Sequence, residues 1–402
     1  MNIRETVQQL KNERSDPLCA YLYDMNRLRD HVETVVRSLP DRCRMFYAMK
    51  ANSEPEILQA LAPIVDGLEV ASLGEVEKAR AVSTDIPVIF GGPGKTDQEI
   101  EGAIRHRVTR FHVESLHELR RIEEIAKRLQ ANVSILLRVN LSGPFPSATL
   151  SMAGRPTQFG MNEEEVGEAI RTAWASAHIC LQGFHFHSIS NQLNAQSHLQ
   201  LLNMYREKVE AWEEAYGLKV TAVNVGGGIG VNYQNLDAQF DWPLFVEGLK
   251  PLVEGFPSHW RHIDFECGRY LTAACGYYAC EVLDIKRNHG KNYVLVRGGT
   301  HHFRLPVSWQ HSHPFEVVPV EKWPYSFERK GFEGEPVTIT GQLCTPKDVM
   351  ARDIRVDRVR IGDIILFQYT GAYSWSISHH DFLSHPHPEH LYLEHPAVCE
   401  PR

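Results

Sequence analysis

The sequence predicts an α/β protein: a (β/α)8 barrel of the TIM type, plus a C-terminal, mainly antiparallel β domain that also takes up the N-terminal segment. Three observations carry this prediction. From about residue 26 to 275 the 402-residue chain alternates short β-type runs with longer amphipathic stretches. Eight such runs can be counted, over a span close to the roughly 250 residues of this barrel. Beyond it, strand-like runs follow one another without long helices between them. The expected domains are 26–275 for the barrel, and 1–25 with 276–402 for the β domain.

Taken in order, the barrel runs are "RMFYAMK" ending at Lys50, "GLEVAS" at Ser72, "PVIFGG" at Gly92 and "RFHVES" at Ser115. They continue with "SILLRVN" ending at Asn140, "LQGFHFH" at His187, "TAVNVGGG" at Gly228 and "IDFECGR" at Arg269. Between them, "SEPEILQALAPI" reads as a helix with Ser53 as its N-cap. "SLHELRRIEEIAKRLQ" carries Glu118 three residues after Ser115, a capping box. "NEEEVGEAIRTAWA" opens on acidic residues, which suit a helix N-terminus. In the last third, "YYACEVLDIKR", "NYVLVRGG", "EPVTITGQLC", "VDRVRIGDIILFQ" and "YSWSIS" read as strands.

Composition narrows the function classes. The formal net charge of −8 disfavours nucleic acid as the partner, since neutralising phosphates needs concentrated Lys and Arg. No apolar run reaches the length of a membrane span, and "MNIRETVQQLKNERSDP" lacks the apolar stretch of a signal peptide, so a cytoplasmic protein is expected. The eight cysteines form no CxxC pair, and neither a disulfide framework nor a metal site is indicated.

In this barrel the active site lies at the C-terminal ends of the strands. Those ends carry Lys50, Glu69, Gly91, Gly92, Glu114, Arg138, His187, the glycine run and Glu266. Lys50 ends an apolar strand; alone it reads best as the first solvated residue, but a Schiff-base lysine is the functional alternative. Gly226, Gly227 and Gly228 could form a plain tight turn. Yet the loops after strands seven and eight are the usual phosphate site of the fold, and glycines let backbone N–H groups approach an anion. Glu266 is either a solvated strand-end carboxylate or the partner of a pyridine nitrogen. Arg269, three residues on, suits a phosphate. His187 shares a face with His185 and is otherwise a hydrogen-bonded core histidine.

Jointly these segments resemble the fold-type-III pyridoxal-phosphate decarboxylases, the group of ornithine, arginine and diaminopimelate decarboxylases, over nearly the whole chain. "FYAMKAN" resembles the family's cofactor-lysine motif, which makes Lys50 the residue bonded to pyridoxal 5'-phosphate. "FHFHSIS" resembles its "HxxS" segment, implying that His187 stacks on the cofactor ring and Ser190 helps hold the phosphate. Gly226 to Gly228 resemble the phosphate-wrapping loop, and "ECGRY" resembles "ExGR", implying that Glu266 meets the ring nitrogen while Gly268 and Arg269 border the phosphate. Glu69 and Arg138 are placed by the same resemblance near the cofactor. "GQLCTPKDV" resembles "GxxCxxxD", putting Cys344 in a catalytic position as proton donor, and "TGAYSWS" resembles "GAY", with Tyr373 on phosphate. In this family Cys344 and Tyr373 would act across a homodimer interface.

Four further segments, "GGPGKTD", "NLSGPFPSATLSMAGRPTQFG", "RGGTHHFRLPVSWQHSHPFE" and "SISHHDFLSHPHPE", resemble the decarboxylases of staphyloferrin-B-type siderophore synthesis. That branch acts on a citryl conjugate of L-2,3-diaminopropionate. Thr345 stands where diamine-specific members carry an acid. A citryl group calls for cations and hydrogen-bond donors instead, and His301, His302, Arg304 and Arg155 are the candidates, against a bland reading of the histidines as a satisfied turn. The rivals are a diaminopimelate decarboxylase, an amino-acid racemase and a non-catalytic cofactor-binding regulator. The loop from Leu141 to Gly160, rich in Gly, Pro and Ser, reads as a lid.

Overall fold

The computed structural model describes residues 2–146, 150–151, 153–154 and 156–394. The chain divides into two units, one of Met1–Leu28, Tyr233–Leu236 and Thr272–Arg402, the other of Arg29–Asn232 and Asp237–Leu271.

The second unit is a barrel. Its strands are Cys43–Ala48, Gly67–Val70, Val88–Phe90, Arg110–Val113, Val133–Asn140, Ile179–His185, Ala222–Gly226 and His262–Cys267. Each pairs in parallel with the next, and the eighth pairs with the first, closing the sheet. Helices cover the outside while side chains fill the inside, so most strands are buried along nearly their whole length. Seven of the eight runs read from the sequence extend two residues beyond the ladder. Those last residues have peeled away from the sheet at its C-terminal mouth, and they are the ones that carry polar chemistry.

The helix starts follow local capping. Ser72 accepts from the Glu75 N–H, Thr96 and Glu99 form a reciprocal capping box, and Ser115 accepts from the Glu118 N–H. The box expected at Ser115 is only half made. The Glu118 side chain reaches Lys95, at 2.6 Å, and the Glu114 N–H, at 3.3 Å. Ser53 is not an N-cap: the helix is Pro55–Leu61, with Glu54 before it. Pro55 fixes φ at the first helical position and holds the preceding residue extended, so it sets the start. Ser53 Oγ instead accepts from Lys78 Nζ.

The first unit is built on a mainly antiparallel sheet ordered Phe315–Val318, Ile364–Gln368, Gly276–Asn288, Lys291–Val296, Pro336–Thr340 and Val349–Arg355. The N-terminal strand Cys19–Asp24 joins it, antiparallel to Gly276–Asn288 and parallel to Glu389–Leu393. Ile3 and Val7 of the first helix share one apolar core with Leu18, Ala20, Leu22, Ala279, Ile364 and Leu366. The N-terminal segment therefore belongs to the β unit by sheet pairing and by burial. One strand reading is corrected: within "YSWSIS", Trp375–Ile377 is a 3-10 turn. Tyr373 has φ near +54°, which breaks the extended run, and the His380 ring stacks on Trp375 at 3.5 Å.

Candidate active site

Lys50 sits in the 3-10 turn Met49–Ala51, just past the first barrel strand. Its neighbours Met49 and Ala51 are buried, yet its own side chain is 43% exposed. Nζ lies 3.0 Å from Glu69 Oε2 and 3.3 Å from Oε1. Glu69, on the second strand, is buried; burial pushes its carboxyl above the usual range, and the Lys50 charge pulls it back. Gly268 follows the eighth strand. A Cβ there would stand 2.7 Å from Ala51 Cβ and 3.0 Å from Ala48 O, so only glycine lets the strand-eight end close on the Lys50 turn.

The glycine run packs as tightly. A Cβ at Gly226 would meet Phe186 O at 2.3 Å, and one at Gly227 would meet Glu266 O at 2.2 Å. Gly228, at φ +94°, has Ile189 O within 2.7 Å of the same construction. The run is therefore wedged between the chain that continues strand six and the end of strand eight. Its conformation is held by side chains: the Gly226 N–H donates to Asn224 Oδ1 at 2.8 Å, and the Gly227 N–H to His187 Nδ1 at 3.2 Å. Accepting at Nδ1 makes His187 a neutral imidazole, and burial, followed by the charges of Lys50 and Arg138, holds its pKa well below the ordinary value. Ser190 lies in the two-residue strand Ile189–Ser190, which pairs with Leu150–Ser151.

Glu266, on the eighth strand, is buried and takes the Asn224 amide on Oε1 at 2.8 Å. His112 Nδ1 lies 3.3 Å from the same oxygen, and His185 Nε2 lies 3.3 Å from Oε2. Arg138 is buried and donates to Glu114 Oε1 at 2.7 Å, while Glu114 Oε2 accepts the Gly160 N–H. Arg269 is buried at the start of the short helix Arg269–Thr272.

The barrel unit thus brings together Lys50, Glu69, Glu266, His187, Gly226, Gly227, Gly228, Gly268 and Arg269 at one end of the strands. Two residues here were not read from the sequence, His112 and Asn224. His112 lies on strand four, two residues before Glu114, and that period-two spacing was the signal available for it. Asn224 is a buried amide in an apolar strand, two residues before the glycine run.

In the β unit, Cys344 is exposed and free. Its loop is tied to the turn that carries His301 and His302. Asp348 accepts the Thr300 N–H on Oδ1, at 2.7 Å, and the Leu343 N–H on Oδ2, at 2.8 Å. His301 is buried beside His302 and His385, and neither of its ring nitrogens meets a hydrogen-bond partner among the described residues. Burial lowers it to about 4, so it is neutral at pH 7. The backbone N–H of Arg304 donates to Ser378 Oγ, while its exposed side chain turns to Ser308. The Thr345 hydroxyl accepts the Lys347 N–H at 3.3 Å within its turn. Tyr373 holds a left-handed backbone, at φ +54°. Arg155 lies outside the described residues, as does part of the Leu141–Gly160 loop.

Comparisons with known proteins bear on this arrangement. Residues 25–273 match the family model described as pyridoxal-dependent decarboxylase, pyridoxal binding domain. The chain is 51% identical over 391 residues to a Staphylococcus aureus protein, covering 97% of this chain and 98% of that one. That protein is named 2-[(L-alanin-3-ylcarbamoyl)methyl]-2-hydroxybutanedioate decarboxylase. The present chain is also 31% identical to an L-glutamyl-[BtrI acyl-carrier protein] decarboxylase of Niallia circulans, over 92% of this chain and 87% of the other. Among solved structures, diaminopimelate decarboxylase from Helicobacter pylori complexed with L-lysine superposes with a TM-score of 0.83 at 28% identity, covering 96% of this chain and 94% of that one. The residues present fit pyridoxal 5'-phosphate. A half-exposed amine, a glycine cradle with no space for a Cβ, a buried carboxylate and a buried arginine provide for its aldehyde, phosphate and ring nitrogen.

Proposed function

The chain belongs to the pyridoxal-dependent decarboxylases, and from that premise we propose that it removes the α-carboxylate of a diaminopropionate unit joined through an amide to a citryl group. The observation that carries this is the 51% identity, end to end, with the Staphylococcus aureus decarboxylase whose name describes such a compound. Thr345 supports it from this chain's own side: a hydroxyl engaged in a turn supplies no carboxylate for the distal ammonium of a simple diamino acid. The product would be a citryl amide with an aminoethyl arm, and the process siderophore synthesis of the staphyloferrin B type. We also assign the enzyme to the cytoplasm, where the seven described cysteines, all unpaired, would stay reduced.

When bound, pyridoxal phosphate supplies the electron sink that receives the bonding pair as carbon dioxide departs. The residues do the rest. Lys50 Nζ would hold the cofactor aldehyde, with Glu69 placed to stabilise a proton beside that nitrogen. Glu266 would meet the ring nitrogen, and His187 would lie against the ring. The amides around Gly226–Gly228, with Arg269, Ser190 and Tyr373, would hold the phosphate, and Arg138, steadied by Glu114, would lie beside the cofactor. Cys344 Sγ delivers a proton to Cα, which a thiol can do near neutral pH. We assign Cys344 and Tyr373 to the partner subunit of a homodimer. The citryl end would meet hydrogen-bond donors from His301 and His302 and the cations Arg304 and Arg155.

The test is carbon dioxide release by the holoprotein from the citryl conjugate, free diaminopropionate, ornithine and diaminopimelate. Release from the conjugate alone is expected. Equal release from a free diamino acid keeps the chemistry and removes the proposed substrate.

A further inference from the structure

The Glu266 carboxylate is flanked by two imidazoles that no sequence motif accounts for together. His112 comes from strand four and His185 from strand six; both are buried, as is Glu266. Their nitrogens approach opposite oxygens of the carboxylate, each at 3.3 Å. At these orientations none of the four ring nitrogens makes a hydrogen bond among the described residues. Buried polar atoms without partners are destabilising, and native interiors hold few of them. An apolar pair of the same shape would avoid the cost, so the imidazoles need another explanation.

The rings are neutral. Burial holds both well below the ordinary histidine pKa, and the neighbouring positive charges of Arg110 and Arg138 act in the same direction. A neutral imidazole offers one N–H donor and one acceptor. The carboxylate is the nearest strong acceptor to each ring. The third contact to Glu266 is already fixed in sense: Asn224 Oδ1 accepts the Gly226 N–H, so its amide must donate to Oε1. The carboxylate therefore sits where three donors can converge, and active-site hydrogen bonds that are long in an empty site commonly tighten once it is filled. Metal binding is the competing use, since the three ligand atoms lie within 4.8 Å of one another. The rings lie tilted against each other, with centroids 4.0 Å apart and planes 34° apart, and zinc titration decides between the two uses.

We infer that His112 and His185 are positioning residues for Glu266: with Asn224 they donate to its carboxylate and hold it aimed at the ring nitrogen of the cofactor. This rests on the reading of Glu266 as the partner of that nitrogen. A buried carboxylate left without those donors would lose the hydrogen bonds that fix its orientation.

The geometry gives conservative replacements. Asparagine at 112 can place its amide nitrogen near Nδ1, and glutamine at 185 near Nε2; leucine removes both donors. The experiment titrates cofactor-free protein with pyridoxal phosphate, reading affinity and the absorbance spectrum, with melting temperature alongside. His112→Leu should weaken cofactor binding by about 10- to 100-fold, the ratio expected for one hydrogen bond to a charged group, and should alter the band. His112→Asn should restore both. If His112→Leu does not fold, His185→Leu against His185→Gln provides the same contrast. Native affinity and spectrum in the leucine variants would overturn the inference. So would equal weakening by leucine and amide variants that follows lost melting temperature, which marks a packing role. Stoichiometric zinc binding by cofactor-free protein, abolished by His112→Asn, would overturn it in favour of a metal site. Glu266→Gln separates the two levels. If it leaves affinity and spectrum unchanged, the reading of Glu266 itself falls. If it changes them while the leucine variants do not, only the positioning role falls.

Discussion

Lys50 faces the buried carboxylate of Glu69, with its Nζ 3.0 Å from Oε2. The amine is therefore oriented before any cofactor arrives. Lys50→Ala should abolish the visible absorbance of lysine-bound cofactor, and retention of that band would remove the basis of the mechanism. Cys344 tests the other half of the chemistry. If its thiol delivers the proton to Cα, Cys344→Ala should slow turnover by about 100- to 10,000-fold, the usual range for a general acid, with cofactor content unchanged. Unimpaired turnover would move the donor elsewhere. At this scale the sequence was partly legible. Lys50, Glu69 and Glu266 stood out because a charged residue at the end of an apolar strand breaks the pattern. His112 did not, because a histidine inside "RFHVES" breaks nothing; its significance comes from strand six and strand eight, which the barrel brings against strand four. Asn224 was hidden in the same way.

The barrel strands share a recurrent error of reading that has one physical cause. Apolar periodicity runs on through residues such as Met49, Ala71 and Phe186, but the ladder stops earlier and the chain turns toward the mouth. Strand Val349–Arg355 was missed outright, since "VMARDIR" is buried only over its first three residues and exposed after them. Tertiary pairing with Pro336–Thr340 makes it a strand. Within the barrel interior, three strands are tied by ionic contacts: Asp264 on strand eight accepts from Arg44 on strand one, at 2.8 Å, and from Arg110 on strand four, at 2.7 Å. Asp264 and Arg110 are buried. Asp264→Ala would leave Arg110 charged and uncompensated in the interior, and should cost about 3–5 kcal/mol of stability, read as a fall in the chemical denaturation midpoint. A variant that unfolds at the native midpoint would show that water reaches this pair.

For the molecule as a whole, buried neutral histidines set an acid limit. His198 lies in the core with Phe240 and Phe245 edge-on to its ring, and burial lowers its pKa to about 4. The unfolded chain takes up that proton near its ordinary value of about 6.5. The stabilisation from keeping His198 neutral is thus full above that value and is lost as pH falls toward the folded value. His112, His185 and His187 are shifted in the same direction. The melting temperature should fall as pH drops from about 6.5 to about 4, and His198→Leu should remove part of that slope. A flat profile would mean that these rings are reached by water. The two-unit organisation was legible because helices disappear from the sequence after about residue 275. The residues proposed for the citryl end were less legible, because His301 and His302 also read as part of a turn, and Arg155 falls outside the described residues.

The central claim concerns one bond, between Cα of the diaminopropionate unit and its carboxylate. The most direct measurement is decarboxylation of the citryl conjugate labelled with a carbon isotope either at that carboxylate or in the citryl carboxylates. We expect label in the released carbon dioxide only from the first compound. Label released from the citryl group, or none from either compound while the cofactor is fully bound, would contradict it.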